Sequence, residues 1–311
     1  MKPVQVGIID IGSNSIKLLI AASDRDQAIR QIDFAIEEVR IGEGMTGSPP
    51  RIDPEAIEKG TRAVANLHAI AKTYELQALA TVATSAVRDA HNRSEFVESI
   101  KAATGLGLSV LSGHDEARLI GKGVSQDPAL DTLGAFILAD LGGGSMECIR
   151  FEDLAPTISH SFNLGAVRLT SKFIRNRLEP VSAPEREAIV TAVQSDFHSS
   201  PFQAQTGIET AVLTGGAAAI LTHLAPDPLF PQRLNVEAAK QIRDRSCALT
   251  CEQRIDQLSI PPKRADIFPA ATIVLCELLD YFRCKTVYFS SYNLRYGLAV
   301  EMIEGYNQDK D

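Results

Sequence analysis

Apolar runs of strand length, broken by short polar turns, open this chain. "VQVGIID" reads as a buried strand and "IKLLIAA" as a second, with the turn "IGSNS" between them. "QIDFAIEEVRI" reads as a third strand. "DPEAIEKGTRAVANLHAIAKTY" then changes to helical periodicity, with Asp53 as N-cap and Pro54 at the first helical position. "LQALATVAT" is strand-like, "SEFVESIKAAT" is a helix capped by Ser94, "GLSVLS" is a short strand and "GHDEARLIGKGV" a helix. The polar, turn-rich "SQDPALDTLG" follows and reads as a link between domains.

The second half restarts the same order. "AFILAD", the turn "LGGGS", "MECIRF" and "PTISHSF" repeat strand, turn, strand, strand. Helices are expected over 165–176 and 182–198. "ETAVLTGG" is a strand entering a helix near Gly215. Further helices are expected over 235–257 and 266–282, then the strand "KTVYFSS" and a last helix "NLRYGLAVEMI". Asp10 and Asp140, each opening an Asp-x-Gly-x-x-Ser turn, stand 130 residues apart (140 − 10). Thr84 and Thr214, each at a strand-to-turn junction, keep the same offset (214 − 84). Two landmarks at one offset indicate a duplicated α/β domain, with halves at 1–125 and 126–311 that face each other.

Composition narrows the classes. At 311 residues, 45% of them apolar and 23% charged, the chain can bury the cores of two domains. No run approaches 18 apolar residues, and the apolar N-terminal stretch lacks a basic leader and a cleavage site. A cytoplasmic protein without a membrane span is expected. Five scattered cysteines make no disulfide framework and read as buried thiols, and the six histidines show no zinc spacing. A net charge of −8 disfavours nucleic-acid binding but leaves room for a locally electropositive phosphate site.

The repeated turn is the candidate for such a site. A strand hairpin with glycines and hydroxyls at its bend aims backbone N–H groups at one point, which suits phosphate oxygens. Gly12, Gly142, Gly143 and Gly144 would allow close approach and positive φ where needed, and Ser13, Asn14 and Ser145 would add donors. A carboxylate at the start of each turn repels bare phosphate, so Asp10 and Asp140 fit best with Mg²⁺, or Mn²⁺, or its waters alongside. Glu147 shares a strand side with Ser145 and is a second candidate for organising metal or water. The alternative is that each turn is simply a flexible connection.

The pair of turns resembles those of the superfamily of actin, Hsp70-type chaperones and sugar kinases. That resemblance implies two ribonuclease H-like, actin-like domains about a central cleft, with the turns holding a phosphate chain from opposite sides. Gly215 and Gly216 look like its adenosine-side signature. "TSAVRDAHN", "LSGHDEARLIGKGV", "FNLGAVRLT" and "SSYNLRYGL" more closely resemble the exopolyphosphatase/guanosine pentaphosphate phosphohydrolase (Ppx/GppA) family. The resemblance covers nearly all the chain, and the additional helical region of longer members is not expected. It implies Glu116 as catalytic base, acting on a water in line with the terminal phosphoanhydride of polyphosphate or guanosine pentaphosphate, and it implies a homodimer. Taken blind, Asp115 and Glu116 would only complement the helix dipole. By the resemblance Arg88 contacts phosphate or clamps the Glu116 helix. The alternative is an ion pair with Asp89 or a nearby acid. Lys17 lies on the strand leaving the first turn. Arg168, Lys172, Arg175 and Arg177 offer a polyanion path or a solvated helix face. Asp115 and Tyr296 depart from the common family pattern, where Glu is frequent. A kinase or an ATP-driven binding module of the same superfamily is the competing reading. The first needs a second-substrate base and the second a partner domain.

Overall fold

The structure is a computed structural model that describes residues 3–23, 29–45, 48–153, 155–202, 207–230 and 233–308. The chain divides into two compact units. One comprises Met1–Ala129 together with Tyr292–Asp311, and the other Leu130–Ser291.

In the first unit β1 (Val4–Ile11) and β2 (Ile16–Ser23) form a hairpin, and β3 (Arg30–Glu37) adds antiparallel to β2. β4 (Ala78–Ala83) runs parallel to β1, and β5 (Ser109–Val110) parallel to β4, which gives the order β3-β2-β1-β4-β5. β1 and β2 are apolar on both faces because both faces are covered. Ile9, Ile11, Ile16, Leu18 and Ile20 pack with Ala63, Val64 and Leu67 of α1 (Pro54–Ala71) and with Phe96 and Ile100 of α3 (Arg93–Thr104). Val6, Ile8, Leu19 and Ala21 on the opposite face pack with Tyr296, Ala299, Val300 and Ile303 of the last helix, α11 (Leu294–Gln308). Asp53 caps α1 by accepting from Glu55 N, as the sequence indicates. Two local expectations change. Ser94 lies inside α3, whose N-cap is Asn92, since Asn92 is held to the backbone of Ile52. "TSAVRDAHN" carries an additional short helix, α2 (Ser85–Asp89).

The second unit repeats the plan. β6 (Ala135–Leu141) and β7 (Met146–Glu152) form the hairpin, and β8 (Ala155–Phe162) adds antiparallel. β9 (Thr210–Thr214) runs parallel to β6, and β11 (Thr286–Phe289) parallel to β9. The edge strand β10 (Arg233–Leu234), too short to read from the sequence, completes the order β10-β11-β9-β6-β7-β8. Read from the other edge, this is the order of the first sheet with one strand added. The core lies between this sheet and α5 (Ala166–Phe173), α6 (Ala183–His198), α7 (Gly216–Leu224), α8 (Val236–Ala248) and α10 (Phe268–Tyr281). The helix expected over 235–257 is broken in two, because Thr250 caps a separate α9 (Cys251–Leu258).

The division at 125 and 126 expected from the sequence assigned the last helix to the second domain. In the structure α11 belongs to the first unit. It supplies the apolar face described above and crosses α4 (Gly113–Val124) at backbone distance. A Cβ on Gly297 would lie 1.9 Å from the Leu119 carbonyl oxygen, and one on Gly123 would lie 2.1 Å from that of Asn293. Among the described residues, no helix is long and apolar enough to cross a membrane.

Candidate active site

The turn between β1 and β2 closes when Gly12 N donates to Ser15 O at 3.1 Å. Its outer carbonyls are held by the segment after β3, where Arg40 N donates to Asn14 O at 3.0 Å and Gly42 N to Ser13 O at 2.9 Å. Arg40 adopts a left-handed φ of 51° to do this, a conformation costly for a residue with a side chain. Ser13 Oγ lies 2.9 Å from Ser85 Oγ at the start of α2, so Ser85 joins the site although the sequence reading passed over it. Its only signal was its place after Thr84. Asn14 is buried, and both its amide atoms lack a hydrogen-bond partner. Buried polar atoms are rarely left so, and an orphaned amide at such a turn is what a ligand oxygen would satisfy.

The two acids at the head of α4 have different tasks. Ser112 Oγ accepts from Asp115 N at 3.1 Å and donates to Asp115 Oδ2 at 2.6 Å, and this hydroxyl bond lowers the Asp115 pKa. Asp115 is bound to the cap residue Ser112. Glu116 is buried, and Arg88 Nη1 donates to its Oε2 at 2.7 Å and to Leu111 O at 3.2 Å. Arg88 Nε also lies 3.7 Å from Asp89 Oδ1. Arg88 therefore clamps the Glu116 helix and neighbours Asp89 as well.

The turn between β6 and β7 closes by the same bond, Gly142 N to Ser145 O at 3.0 Å. Its support differs. The first amides of α5 are spent on the turn: Ala166 N donates to Gly142 O at 3.0 Å, Val167 N to Gly143 O at 2.8 Å and Arg168 N to Gly143 O at 3.1 Å. Arg168 Nε adds a bond to Gly144 O at 2.6 Å. With its carbonyls tied behind it, the turn is left to present N–H groups. Gly165 makes this contact possible, since a Cβ there would lie 2.2 Å from the Gly144 carbonyl carbon. Positive φ is not what the turn glycines provide. Gly44, Gly105, Gly207 and Gly215 hold the left-handed conformation, and Gly12, Gly142, Gly143 and Gly144 do not. Asp140 and Glu147 are direct partners across the hairpin. Glu147 Oε1 accepts from Ser161 Oγ at 2.7 Å, a β8 residue that the sequence reading did not single out. Gly215, at φ 96°, closes against Asp140, and the neighbouring Thr214 hydroxyl is buried without a partner.

The Ppx/GppA phosphatase family profile matches residues 19–305. The chain belongs to this family. It is 30% identical over 299 residues to exopolyphosphatase 2 of Mycobacterium tuberculosis, covering 91% of this chain and 92% of that protein. It is 27% identical over 310 residues to a bifunctional 3-dehydroquinate synthase/phosphatase of Fusobacterium nucleatum, covering 95% of this chain and 46% of that longer protein, so it spans under half of that relative. Among solved structures, an exopolyphosphatase from Cytophaga hutchinsonii superposes with a TM-score of 0.83 at 22% identity, over 97% of this chain and 98% of that one. The Ppx/GppA protein of Aquifex aeolicus gives 0.79 at 22%, over 98% and 99%. These two likenesses carry the fold.

Within this Ppx/GppA chain, no three His, Cys, Asp or Glu side chains converge among the described residues. Mg²⁺ does not demand such a cage, since it keeps several waters and takes one or two carboxylates plus substrate phosphates. Asp140 and Glu147 fit that pattern. Two carboxylates facing across a hairpin repel, and a cation between them removes the penalty. Asp10 fits less well, because Arg295 Nη1 already donates to its Oδ2 at 2.7 Å. The four residues of the expected polyanion path have different surroundings, and of Arg175 it is the backbone N that is bound. Arg168 holds the second turn, Arg177 contacts Ser171 and lies 3.8 Å from Asp266, Arg175 N is bound by Glu185, and exposed Lys172 lies over the Phe173 ring. Tyr296, a departure from the expected pattern, fills the core beneath β1 and β2 and packs at a tilt against Tyr292.

Proposed function

We propose that this protein, by its family a hydrolase of phosphoanhydride bonds, releases terminal phosphate from inorganic polyphosphate, with Glu116 as the base. The observation that carries this reading is the buried Glu116 carboxylate, fixed at the head of α4 by Arg88 while Asp115 is bound to the cap residue Ser112. Catalysis of phosphoryl transfer is mostly positioning and charge stabilisation, so a rigidly held carboxylate that orients water is better suited than a mobile one. The water oxygen forms a bond to the terminal phosphorus as the bridging P–O bond breaks. Its proton passes to Glu116, and the electron pair leaves with the shortened chain. Each turn taken by itself would offer N–H donors to phosphate oxygens, and Asn14 in the first carries an amide with no hydrogen-bond partner. Asp140 and Glu147 would hold Mg²⁺, whose charge would offset that developing on the phosphoryl oxygens. Polyphosphate is favoured by the exopolyphosphatase names of relatives matched over nine-tenths of their length.

Guanosine pentaphosphate ends in the same anhydride and is the second arm of the test. Phosphate release with Mg²⁺ is measured from polyphosphate, guanosine pentaphosphate and ATP, for the wild type and Glu116→Gln. Release from polyphosphate should fall by at least about 100-fold in the variant. Release from guanosine pentaphosphate alone would reassign the substrate. A variant as active as wild type would remove Glu116 from the mechanism, and hydrolysis of ATP alone would favour the kinase or nucleotide-binding reading.

A further inference from the structure

The two repeated turns are built alike and charged differently. Directly across the hairpin from Asp10 stands Lys17, and directly across from Asp140 stands Glu147. These are one position of the repeat, again 130 residues apart (147 − 17). The second copy thus opposes two carboxylates, while the first opposes a carboxylate and a lysine. The first copy then receives another cation. Arg295, near the start of α11, donates to Asp10 Oδ2 at 2.7 Å, with Asp10 9% and Arg295 8% exposed. Neighbouring groups hold the residue in place, with its Nε buried and without a hydrogen-bond partner. The backbone N of Arg295 donates to Asn293 Oδ1 at 3.3 Å, and the guanidinium carbon stands 5.6 Å from the centre of the Phe34 ring. Gly297, two residues on, sets α11 against α4 at backbone distance.

A divalent ion at Asp10 would enter a group already carrying a buried arginine on one oxygen and a lysine across the hairpin. We infer that the repeat has separated into unlike halves. Arg295 is a positioning residue that neutralises and orients Asp10, so the first turn holds phosphate without a divalent ion, and divalent binding belongs to the second turn alone. The inference rests on the reading of both turns as phosphate sites.

The test is Mn²⁺ titration of the whole protein without substrate, with free Mn²⁺ followed by electron paramagnetic resonance, for wild type, Asp10→Asn and Glu147→Gln. Melting curves verify the fold of each. Glu147→Gln should weaken binding at least tenfold and Asp10→Asn less than twofold. An equal loss in Asp10→Asn, or no binding by wild type, overturns the inference. A kinetic arm uses Arg295→Met and Arg295→Lys. Arg295→Met should raise the KM for polyphosphate at least tenfold while the Mg²⁺ concentration for half-activation moves less than twofold, and Arg295→Lys should recover part of the loss. A tenfold shift in the Mg²⁺ requirement, or an unchanged KM, would sink it. If wild type releases no phosphate, the proposed function fails by itself, and the Mn²⁺ titration still decides between the two turns.

Discussion

Asp115 and Glu116 carry the same functional group one residue apart, and their surroundings separate them. The Ser112 hydroxyl binds the first carboxylate, and the half-buried Arg88 binds the second. Periodicity could place both in the first turn of a helix, but not choose between them, because the choice depends on Arg88, 28 residues earlier. Cysteines show the same dependence on environment. Burial raises the pKa of Cys148 and Cys247 and pushes Cys276 and Cys284 up to about 12, while Cys251 is partly exposed. In the native protein at pH 8, Cys251 should react first with a chromogenic disulfide, and the other four only on unfolding. A titration that finds several fast thiols would contradict this. Glu185 offers a pH-dependent check. It accepts from Arg175 N and from Ser182 N and Oγ, and these bonds, the first foremost, lower its pKa. Its contribution to stability is therefore complete above the ordinary carboxylate range and is lost as pH falls through the depressed value. Wild type should melt above Glu185→Gln at pH 7, and the gap should close below about pH 4.

At the scale of elements, the strands were legible because β1, β2 and β6 are buried on both faces and read as mostly apolar runs. The short α2 and β10 were not, since five residues and two residues hold too little periodicity. The crossing of α4 and α11 was also hidden. Gly123 and Gly297 are ordinary letters in helical stretches until the two backbones are seen to touch. Gly297→Ala should force these helices apart and cost about 1–3 kcal/mol. It should also slow catalysis more than an exposed-site control of equal stability loss, because Glu116 rides on α4. Equal melting temperatures for variant and wild type would show that the crossing tolerates a methyl group.

For the whole molecule, the consequence is that the last helix completes the first unit. Removing residues 292–311 takes away Tyr296, Ala299, Val300 and Ile303 from one face of the first sheet, and with them Arg295 from Asp10. A chain ending at Ser291 should lose the protection of β1 and β2 amides in hydrogen exchange while those of β6, β7 and β9 remain protected. Uniform retention of protection would mean that the first sheet stands without α11.

The sequence by itself determined the α/β class, the repeated plan and the two turns, because these depend on local alternation and on an offset countable along the chain. It placed the cap Asp53 for the same reason, whereas the cap expected at Ser94 falls inside α3. Only the tertiary structure decided which side chains meet. Arg88 with Glu116, Ser13 with Ser85, Glu147 with Ser161 and Arg295 with Asp10 are pairs between 14 and 285 residues apart, and no periodicity records such partners. Charge type at two positions of a repeat can be read from the letters. Whether that charge is opposed by a lysine, a glutamate or an arginine from the far end of the chain is fixed by how the strands and α11 pack.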